Sequence, residues 1–422
     1  MLKRNKLSTQ LASILCCATL SSVSVATFAA STSSQQTLPV RSVDEIPTLI
    51  INDQVVEDAD LSDIANNRAT ANTANQTLNN DRTEELSDDI EEGQAVAPAT
   101  SNTDESSIAS IENNNVQNRN GKVYTTLNLS DYAKQVNDAV WSPNMNVNTA
   151  MTVKLQTLLD WNHASPGPID GGWGMNSKKA LSNFQAMHGL QQTGRMNAET
   201  WEALTKNIDM NQPVLVEYTL TQDDINTPFA TTPTGAEAKS RMKGLYYQNI
   251  IEMLGERFHM DVRYLEKLNK GKSFTAGETI TVINVGEPLK ERITRVVADK
   301  DAKTLYAYNG NKLVATYPTT VGSSSTPSPH GTYRIVNKVK MPWYKATVGS
   351  DADKKVYMLP PGPNNPVGVV WMGLSKPSYG LHGSPRPEGI SRQASHGCIR
   401  LTNWDVLEVY ANINNGATVE LK

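Results

Sequence analysis

The chain has 422 residues, a formal net charge of −4 and 38% hydrophobic residues, a length that suggests two or three domains. The charge is uneven, because residues 31–120 hold 17 acidic and 4 basic side chains while residues 121–422 carry a net +6. The basic surplus suits an anionic polymer or a carboxylate-bearing substrate, and equally an ordinary solvated surface. The sequence has no dense Lys/Arg stripe interleaved with aromatic residues, which argues against a nucleic-acid-binding protein.

The N-terminus has the pattern of an export signal. Three basic residues among the first six positions precede an apolar run from about Leu11 to Val25 that ends in small residues. This pattern predicts a Sec-type signal peptide over residues 1–29, with cleavage after Ala26 or Ala29. The run is short and rich in Ser and Thr, so we expect no membrane span once the signal is removed. We therefore expect a periplasmic or cell-envelope protein.

Residues 30–120 are predicted to be a disordered acidic linker. The segment lacks Phe, Trp and Tyr and is dominated by Asn, Ala, Thr, Ser and acidic residues. Such a chain cannot bury enough apolar area to offset the entropy lost on ordering. We expect it to act as a tether that lets the folded modules reach across a layer of the cell envelope.

Residues 121–210 show the pattern of three short helices. The first carries apolar residues at helical spacing between Val147 and Leu159. The second follows the sequence P-G-P-I-D-G-G-W-G and presents Phe184 on its apolar face, with Asn176 as the predicted N-cap. The third begins near Asn197. Three short helices can enclose only a small core.

Residues 211–291 alternate between strand and helix signals. Strand-like residues at positions 214–218 open the segment, and two helices separated near His259 follow before a final turn and strand. In the preceding helical region, neither His163 nor His188 has the spacing of a metal ligand with the other or with a nearby carboxylate pair. We therefore predict no metal site in either of these regions.

Residues 292–422 are predicted to be mostly β structure. Strand signals recur as R-I-T-R-V-V-A-D, T-L-Y-A-Y, K-L-V-A-T-Y-P-T-T-V and G-T-Y-R-I-V-N-K-V, and Asn309-Gly310 between two of them predicts a hairpin. This pattern suggests a compact sandwich or a barrel-like pair of sheets. The long Pro-rich segment from about residue 341 to 366 is predicted to be a functional loop, and Thr402 is predicted to start a helix.

A reactive stretch lies between Tyr379 and Asn403, with Y-G-L-H-G-S followed after a short loop by S-H-G-C-I-R-L-T-N. It contains Cys398, the only cysteine outside the predicted signal peptide, together with His382 and His396. A free thiol has a pKa of about 8.5, so a nearby base or cation is needed to form the reactive thiolate at neutral pH. The stretch therefore predicts a cysteine nucleophile, against the alternative of a buried core cysteine.

Either imidazole is a candidate base for this thiol. His396 lies two residues before the cysteine, and His382 comes from a separate segment that can approach across the fold. The carbonyl of Gly383 can fix the tautomer of its neighbour by accepting from Nδ1–H. The amides of Gly397 and of the cysteine can stabilise an oxyanion. Arg400 can hold a substrate carboxylate or help to keep the sulfur ionised.

These motifs resemble the signature of the L,D-transpeptidase (YkuD/ErfK-like) catalytic domain, over about residues 292–422. The resemblance implies that Cys398 is the nucleophile, that His382 is the base and that Gly383 supplies the carbonyl that orients the base. It implies no metal and no organic cofactor. The oxyanion-hole and substrate-binding positions that go with this assignment are Gly397, His396, Ser395, Arg400 and Tyr379.

Two other regions resemble cell-wall modules. The strings D-G-G-W-G, F-Q-A-M-H-G-L, T-G-R and T-W-E-A-L resemble the three-helix type 1 peptidoglycan-binding module over about residues 148–207. Residues 211–291 resemble a degenerate LysM-like glycan-binding module, the alternative being a spacer packed on the catalytic domain. The expected fold class is therefore multidomain α+β: a mostly β YkuD-like sandwich, a three-helix domain, a small LysM-like α/β module and a disordered N-terminal tail.

The expected partner is peptidoglycan, through both its stem peptides and its glycan. The resemblance implies release of D-Ala from a stem tetrapeptide through a cysteine thioester, followed by a 3→3 cross-link, and acylation of Cys398 by carbapenems. Water, a D-amino acid or a lipoprotein lysine are alternative acceptors, and water would make the enzyme an L,D-carboxypeptidase. A non-catalytic peptidoglycan-binding anchor is the alternative from another class. A papain-like protease would need a different sequence around the cysteine. The sequence leaves the oligomeric state open.

Overall fold

The computed structural model describes residues 95–96, 115–117, 123–145, 147–322, 327–349, 353–393, 395 and 397–422. The predicted signal peptide and most of the predicted linker lie outside these residues. Among the helices within the described ranges, none combines the length and the apolar character needed to cross a bilayer.

Two short strands fall within the segment that the composition predicts to be disordered. β1 (Ala95–Val96) pairs antiparallel with Trp343 and Tyr344, and β2 (Asn115–Gln117) pairs antiparallel with the strand at residues 123–125. These residues lie in strands, whereas the composition of the segment predicts disorder. A segment of any composition can gain order by pairing its backbone with an existing strand edge.

The helical region contains the three predicted helices and one that precedes them: α1 (Asp131–Asp138), α2 (Thr149–Trp161), α3 (Met175–Met187) and α4 (Ala198–Thr205). Asn197 caps α4 by accepting from the amide of Thr200, which confirms the predicted start of that helix. The predicted N-cap of α3 is wrong. Gly174, itself an acceptable N-cap, starts the helix earlier, and the Asn176 side chain donates to the carbonyl of Ile390 at 3.3 Å.

Residues 211–291 have strands near both ends and helices between them, as the sequence predicts. The strands β3 (Val123–Thr125), β4 (Leu215–Thr219) and β5 (Thr279–Ile283) continue the sheet from β2 in the order β2-β3-β4-β5. Between β4 and β5 lie α5 (Gln222–Asn226), α6 (Ala236–Ser240), α7 (Ile250–Arg257) and α8 (Val262–Leu268). The helical conformation is interrupted between α7 and α8, as predicted, at His259, which has a φ of 56°.

The helical region and residues 211–291 share one hydrophobic core. Leu155 and Phe184 from the helices belong to the same buried cluster as Val216 and Leu254. Trp161 is 3% exposed, and its indole N–H donates to the carbonyl of Asn284 at 2.6 Å. Two segments that complete each other's core form one structural unit, whereas independent modules would each have their own.

The described residues of the C-terminal region form ten strands. In chain order they are β6 (Ile293–Asp299), β7 (Thr304–Asn309), β8 (Lys312–Pro318), β9 (Gly331–Lys340), β10 (Trp343–Val348), β11 (Lys355–Leu359), β12 (Val370–Leu374), β13 (Gly380–His382), β14 (Ile399–Arg400) and β15 (Ile413–Leu421). Eight of them form a sheet in the order β14-β13-β12-β9-β15-β6-β7-β8. The predicted hairpin at Asn309-Gly310 joins β7 to β8.

This sheet is continuous, whereas the sequence predicts a sandwich or a barrel-like pair of sheets. The long strand β9 pairs on one side with β12 and on the other with β15, and thereby joins what would otherwise be two separate sheets. Val296, Met372 and Leu381 lie in the core of this region. The helix α9 (Asn403–Asn412) begins after Thr402, which caps it as predicted by accepting from the amide of Asp405.

The segment predicted to be a functional loop contains the hairpin β10–β11. This hairpin forms a three-stranded sheet with β1, in the order β1-β10-β11. The segment is therefore more regular than its Pro-rich sequence suggests, because antiparallel pairing from Tyr344 with Leu359 to Val348 with Lys355 satisfies its backbone.

The helical region rests directly on the C-terminal sheet. The amide of Ser165 donates to the carbonyl of Thr316 at 2.9 Å, and the amide of Thr316 donates to the carbonyl of His163 at 2.8 Å. The ammonium of Lys179 donates to the carbonyl of Lys303 at 2.8 Å and to Oγ of Ser391 at 2.9 Å. Burial, with a smaller contribution from Lys303, lowers the pKa of Lys179 to about 8.

Candidate active site

The two sequence motifs meet at one edge of the eight-stranded sheet. β13 ends in His382 and runs parallel to β14, with Leu381 opposite Ile399 and His382 opposite Arg400. Cys398 directly precedes β14. The parallel pairing therefore brings the thiol and the imidazole onto neighbouring segments.

Cys398 and His382 lie on the same face of this edge. Trp371 of β12 is paired with His382, and side chains paired across strands point to the same face. Trp371 packs in the same buried cluster as Cys398. By contrast, Leu381 and Ile399 alternate with these residues and belong to the core on the other face.

The imidazole of His382 is held in one orientation. Its Nδ1 lies 2.7 Å from the carbonyl oxygen of Gly383. A carbonyl can only accept, so Nδ1 carries the proton and Nε2 is the basic nitrogen of the neutral ring. The ring is fully buried and stacks on Trp371, with centroids 5.7 Å apart. This is the tautomer that a general base needs if it is to accept a proton from a thiol.

A tight turn presents Cys398. Gly397 has a φ of 120°, and a Cβ added to it would lie 2.7 Å from Cε1 of Tyr379. Only glycine therefore fits the position before the cysteine. The hydroxyl of Ser395 donates to the carbonyl of Cys398 at 2.6 Å and closes the turn. The cysteine is 2% exposed, and its Sγ lies 3.7 Å from the carbonyl oxygen of Ser378.

The same turn determines where the Gly397 amide points. This amide donates to Oγ of Ser395 at 3.1 Å. An oxyanion that used the Gly397 amide would thus have to compete with Ser395 for it. The sequence assigns Ser395 to the oxyanion and substrate region, and the structure places it inside the turn, where it is 2% exposed.

The remaining predicted site residues surround this turn. Tyr379 is half-buried beside Gly397, and its ring lies 5.2 Å from the ammonium of Lys376. Arg400 is half-buried. Two backbone hydrogen bonds of 2.9 Å with Thr320 fix the position of its main chain. His396 lies outside the described residues.

A cover of apolar residues closes the site. Cys398 packs in one cluster with residues of the β10–β11 hairpin, of the connection between β11 and β12 and of the 211–291 segment: Tyr344, Leu359, Val367, Ala236 and Leu245. Because Cys398 is 2% exposed in this arrangement, a substrate reaches its sulfur only when part of the cover moves.

Sequence reasoning missed Trp371. Its sequence context, V-V-W-M-G-L, is that of an ordinary buried strand, and only the pairing of β12 with β13 brings its ring to His382. Among the residues that the structure describes, no group of three His, Cys, Asp or Glu side chains is arranged to hold a metal ion.

Comparison with known proteins finds matches for two of the three regions that resemble known domains. The family model described as "L,D-transpeptidase catalytic domain" matches residues 293–421, and the one described as "Putative peptidoglycan binding domain" matches residues 149–204. The "Putative L,D-transpeptidase YkuD" of Bacillus licheniformis is 33% identical over 152 residues, which cover 36% of this chain and 78% of that protein. This chain belongs to the L,D-transpeptidase family.

The transpeptidase is also similar to more distant relatives. The "Probable L,D-transpeptidase YbiS" of Escherichia coli K12 is 24% identical over 181 residues, which cover 40% of this chain and 59% of that protein. Among solved structures, an L,D-transpeptidase from Mycobacterium smegmatis is 20% identical, with a TM-score of 0.26, and the match covers 35% of this chain and 63% of that one.

The resemblances to the L,D-transpeptidase catalytic domain and to the peptidoglycan-binding module are confirmed, because a family model matches each of them. The matched ranges lie within the predicted catalytic region of residues 292–422 and the predicted helical region of residues 121–210. Residues 211–291 lie between the matches, and their resemblance to a LysM module stays a prediction.

Proposed function

We propose that this transpeptidase acts on peptidoglycan stem tetrapeptides through a thioester on Cys398. The observation that carries the proposal is the hydrogen bond from Nδ1–H of His382 to Gly383, which leaves Nε2 as the base on the face that bears the thiol. The substrate and the acceptor follow from the family. The site of action follows with them, since peptidoglycan lies in the cell envelope.

The first half of the proposed reaction forms the thioester. His382 takes the thiol proton, and the thiolate attacks the carbonyl carbon of the third residue of the donor stem. The tetrahedral oxyanion is stabilised by the main-chain amide of Cys398 and by that of Gly397, for which the oxyanion competes with Oγ of Ser395. The carbon–sulfur bond stays, the carbon–nitrogen bond to D-Ala breaks, and the imidazolium returns its proton to the leaving amine.

The second half transfers the acyl group. The side-chain amine of the third residue of another stem attacks the thioester carbonyl and gives up a proton to His382. A carbon–nitrogen bond forms, the carbon–sulfur bond breaks, and the thiolate is regenerated. The product is a 3→3 cross-link. A D-amino acid or a lipoprotein lysine would follow the same route, and water would give L,D-carboxypeptidase activity.

The proposal is tested by release of D-Ala from a stem tetrapeptide. Replacing Cys398 by Ser should abolish release, because the variant lacks the thiolate, and replacing His382 by Ala should slow release strongly, because the variant lacks the base. Wild-type rates in both variants would remove the proposal. Product analysis with an amine acceptor present separates cross-linking from hydrolysis.

The alternative from another class is a non-catalytic peptidoglycan anchor. We expect a carbapenem to acylate Cys398 in the wild-type protein and not in Cys398→Ser, because acylation needs an activated thiol. Absence of an adduct in the wild-type protein would favour the anchor.

We also infer that the helical region binds peptidoglycan in a groove of about 690 Å³. Its walls combine aromatic rings with cations: Trp141, Trp173, Lys178, Lys179 and Arg195. Indole faces suit sugar rings, and cations suit the carboxylates of stem peptides. Trp173→Ala and Arg195→Ala should each reduce co-sedimentation with insoluble peptidoglycan. Lys272→Ala, which removes an exposed cation outside the groove, should leave co-sedimentation unchanged.

A further inference from the structure

The Gly383 carbonyl, which orients His382, belongs to a backbone segment that is itself tightly packed. Gly383 packs against Gly368, and a Cβ added to either residue would collide with Oδ1 of Asn403. Asn403 is the first residue of α9 and is 2% exposed. The position of its side chain therefore limits where the Gly383 backbone can lie.

The amide of Asn403 has a single possible orientation. Its Oδ1 accepts from the backbone N–H of Val369 at 3.3 Å. Its Nδ2 donates to both carboxyl oxygens of Glu256, at 2.9 and 3.1 Å, and to the carbonyl of Pro363 at 3.2 Å. A flipped amide would place oxygen against oxygen on one side and N–H against N–H on the other. The network thus fixes which atom faces Gly383.

Glu256 comes from outside the catalytic region, since it lies on α7 of the 211–291 segment. It is 8% exposed and accepts from the hydroxyl of Tyr247 at 3.2 Å. Burial raises the pKa of Glu256 to about 8, with the neighbouring Glu252 and Glu388 adding to the rise, while its hydrogen bonds with Asn403 and Tyr247 lower it. A protonated carboxyl keeps a carbonyl oxygen that can still accept from Asn403.

We infer that Glu256 and Asn403 are positioning residues for catalysis, which hold the Gly383 carbonyl against Nδ1 of His382. On this view, the 211–291 segment completes the active site of the transpeptidase domain. The inference rests on the proposed function, in which His382 is the base for Cys398.

The physical consequence concerns the thiolate. A carbonyl that accepts from Nδ1–H stabilises the imidazolium more than the neutral ring, because the donor is then charged. Loss of Glu256 removes an acceptor from one N–H of Asn403, so the Asn403 side chain is held less firmly. The Gly383 backbone that packs against it can then move, and the Gly383–His382 hydrogen bond weakens. The imidazolium then becomes less favourable, and the pKa of the Cys398 thiol rises.

The experiment compares three variants of the full chain. Glu256→Ala removes the acceptor, and Glu256→Gln keeps one, with Tyr247 free to accept from the new amide. Glu252→Ala is the matched control, because Glu252 also lies on α7 and accepts from a side-chain amide of the catalytic region, that of Asn364 at 2.8 Å. Oδ1 of Asn403 is the atom nearest to a Cβ built on Gly383, and Asn364 is not among its three nearest neighbours.

Two readouts are taken: the pH profile of Cys398 alkylation by iodoacetamide, and kcat for D-Ala release. For Glu256→Ala we expect the alkylation midpoint to rise by about half a pH unit or more and kcat to fall about tenfold, a partial loss of general-base catalysis. Glu256→Gln should restore most of both. The Glu252→Ala variant should keep the wild-type midpoint, whatever its thermal stability.

The outcomes separate this inference from the function it rests on. If the wild-type chain releases no D-Ala, the proposed function fails. If the wild-type chain is active and Glu256→Ala has the midpoint and kcat of Glu252→Ala, the positioning role is overturned. Should Glu256→Ala not fold, Asn403→Ser, which removes the amide itself, takes its place with the same expected shift. A wild-type midpoint in that variant would equally overturn the positioning role.

Discussion

The indole of Trp371 lies nearly parallel to the imidazole of His382, with the ring centroids 5.7 Å apart and the planes inclined by 22°. The two residues are paired across β12 and β13, and both are buried. An indole face attracts a cation more strongly than it attracts a neutral ring. The stack would therefore favour the imidazolium that forms if His382 acts as the proposed base for the thiol.

Replacing Trp371 by Ala should slow the reaction. Loss of the stack removes about 1–2 kcal/mol of cation–π stabilisation, which corresponds to roughly a tenfold fall in kcat for D-Ala release. Trp371→Phe is the control, because it keeps an aromatic face and should lose no more than about threefold. Steady-state kinetics at saturating tetrapeptide measure both variants. A wild-type kcat in Trp371→Ala would show that the stack has no catalytic role.

The turn before the nucleophile should not tolerate a side chain. In Gly397→Ala the added methyl meets the ring of Tyr379 at 2.7 Å and the backbone has a φ of 120°, so we expect loss of measurable D-Ala release. Gly416 also has a positive φ, of 87°, but nothing lies within 4 Å of an added Cβ. Gly416→Ala should therefore cost about 1 kcal/mol of unfolding free energy and leave kcat unchanged. Equal activity in the two variants would contradict this reading of the turn.

Stability should fall as pH rises from acid to neutral. Burial raises the pKa of Asp405 to about 7, although the hydrogen bond with Thr402 opposes the rise, whereas an unfolded aspartate titrates near 4. Between about pH 4 and pH 7 the folded chain therefore holds a proton that the unfolded chain has lost, and each rise in pH favours unfolding.

The variant Asp405→Asn cannot ionise and should lack this part of the pH dependence. The free energy of unfolding, measured with urea, should fall between pH 4.5 and pH 8 in the wild-type protein. This fall should exceed that of the variant by about 2–4 kcal/mol. Asp131→Asn, which removes an exposed carboxylate on α1, should keep the wild-type slope. Identical slopes for Asp405→Asn and the wild-type protein would rule out the buried carboxyl as the source.

Opening the cover should expose the nucleophile. Tyr344 on β10 is fully buried and belongs to the same cluster as Cys398, whereas Val356 on the neighbouring β11 is 52% exposed. We expect Tyr344→Ala to speed the reaction of Cys398 with a bulky aromatic disulfide by about tenfold, because local opening becomes easier. Val356→Ala should leave the rate unchanged. A wild-type rate in Tyr344→Ala would mean that the sulfur is reached by another path.

The sequence indicates the proposed reactive residues because short motifs carry them. The H-G pair and the S-H-G-C string indicated His382, Gly383 and Cys398, and the structure brings the segments that carry them together at one sheet edge. Local signals also predicted the hairpin at Asn309-Gly310 and the cap at Thr402. In each case the decisive interaction lies within a few residues of the chain.

The parts that could not be predicted depend on distant pairing. Trp371 contacts His382 only because β12 pairs with β13, and Glu256 reaches Asn403 across 147 positions of the chain. The continuity of the sheet likewise depends on β9 pairing on both sides. No local propensity records such contacts. The N-cap of α3 was missed for a different reason, since a glycine is a weaker sequence signal than the nearby Asn176.

Intact-mass analysis of the protein after mixing with a stem tetrapeptide tests whether Cys398 carries the acyl group. The wild-type chain should gain the mass of the tripeptide acyl group, located by digestion to the peptide that contains Cys398, and His382→Ala should gain it far more slowly. The Cys398→Ser variant should gain none. An adduct on another residue, or D-Ala release that persists without Cys398, would contradict a cysteine thioester as the intermediate.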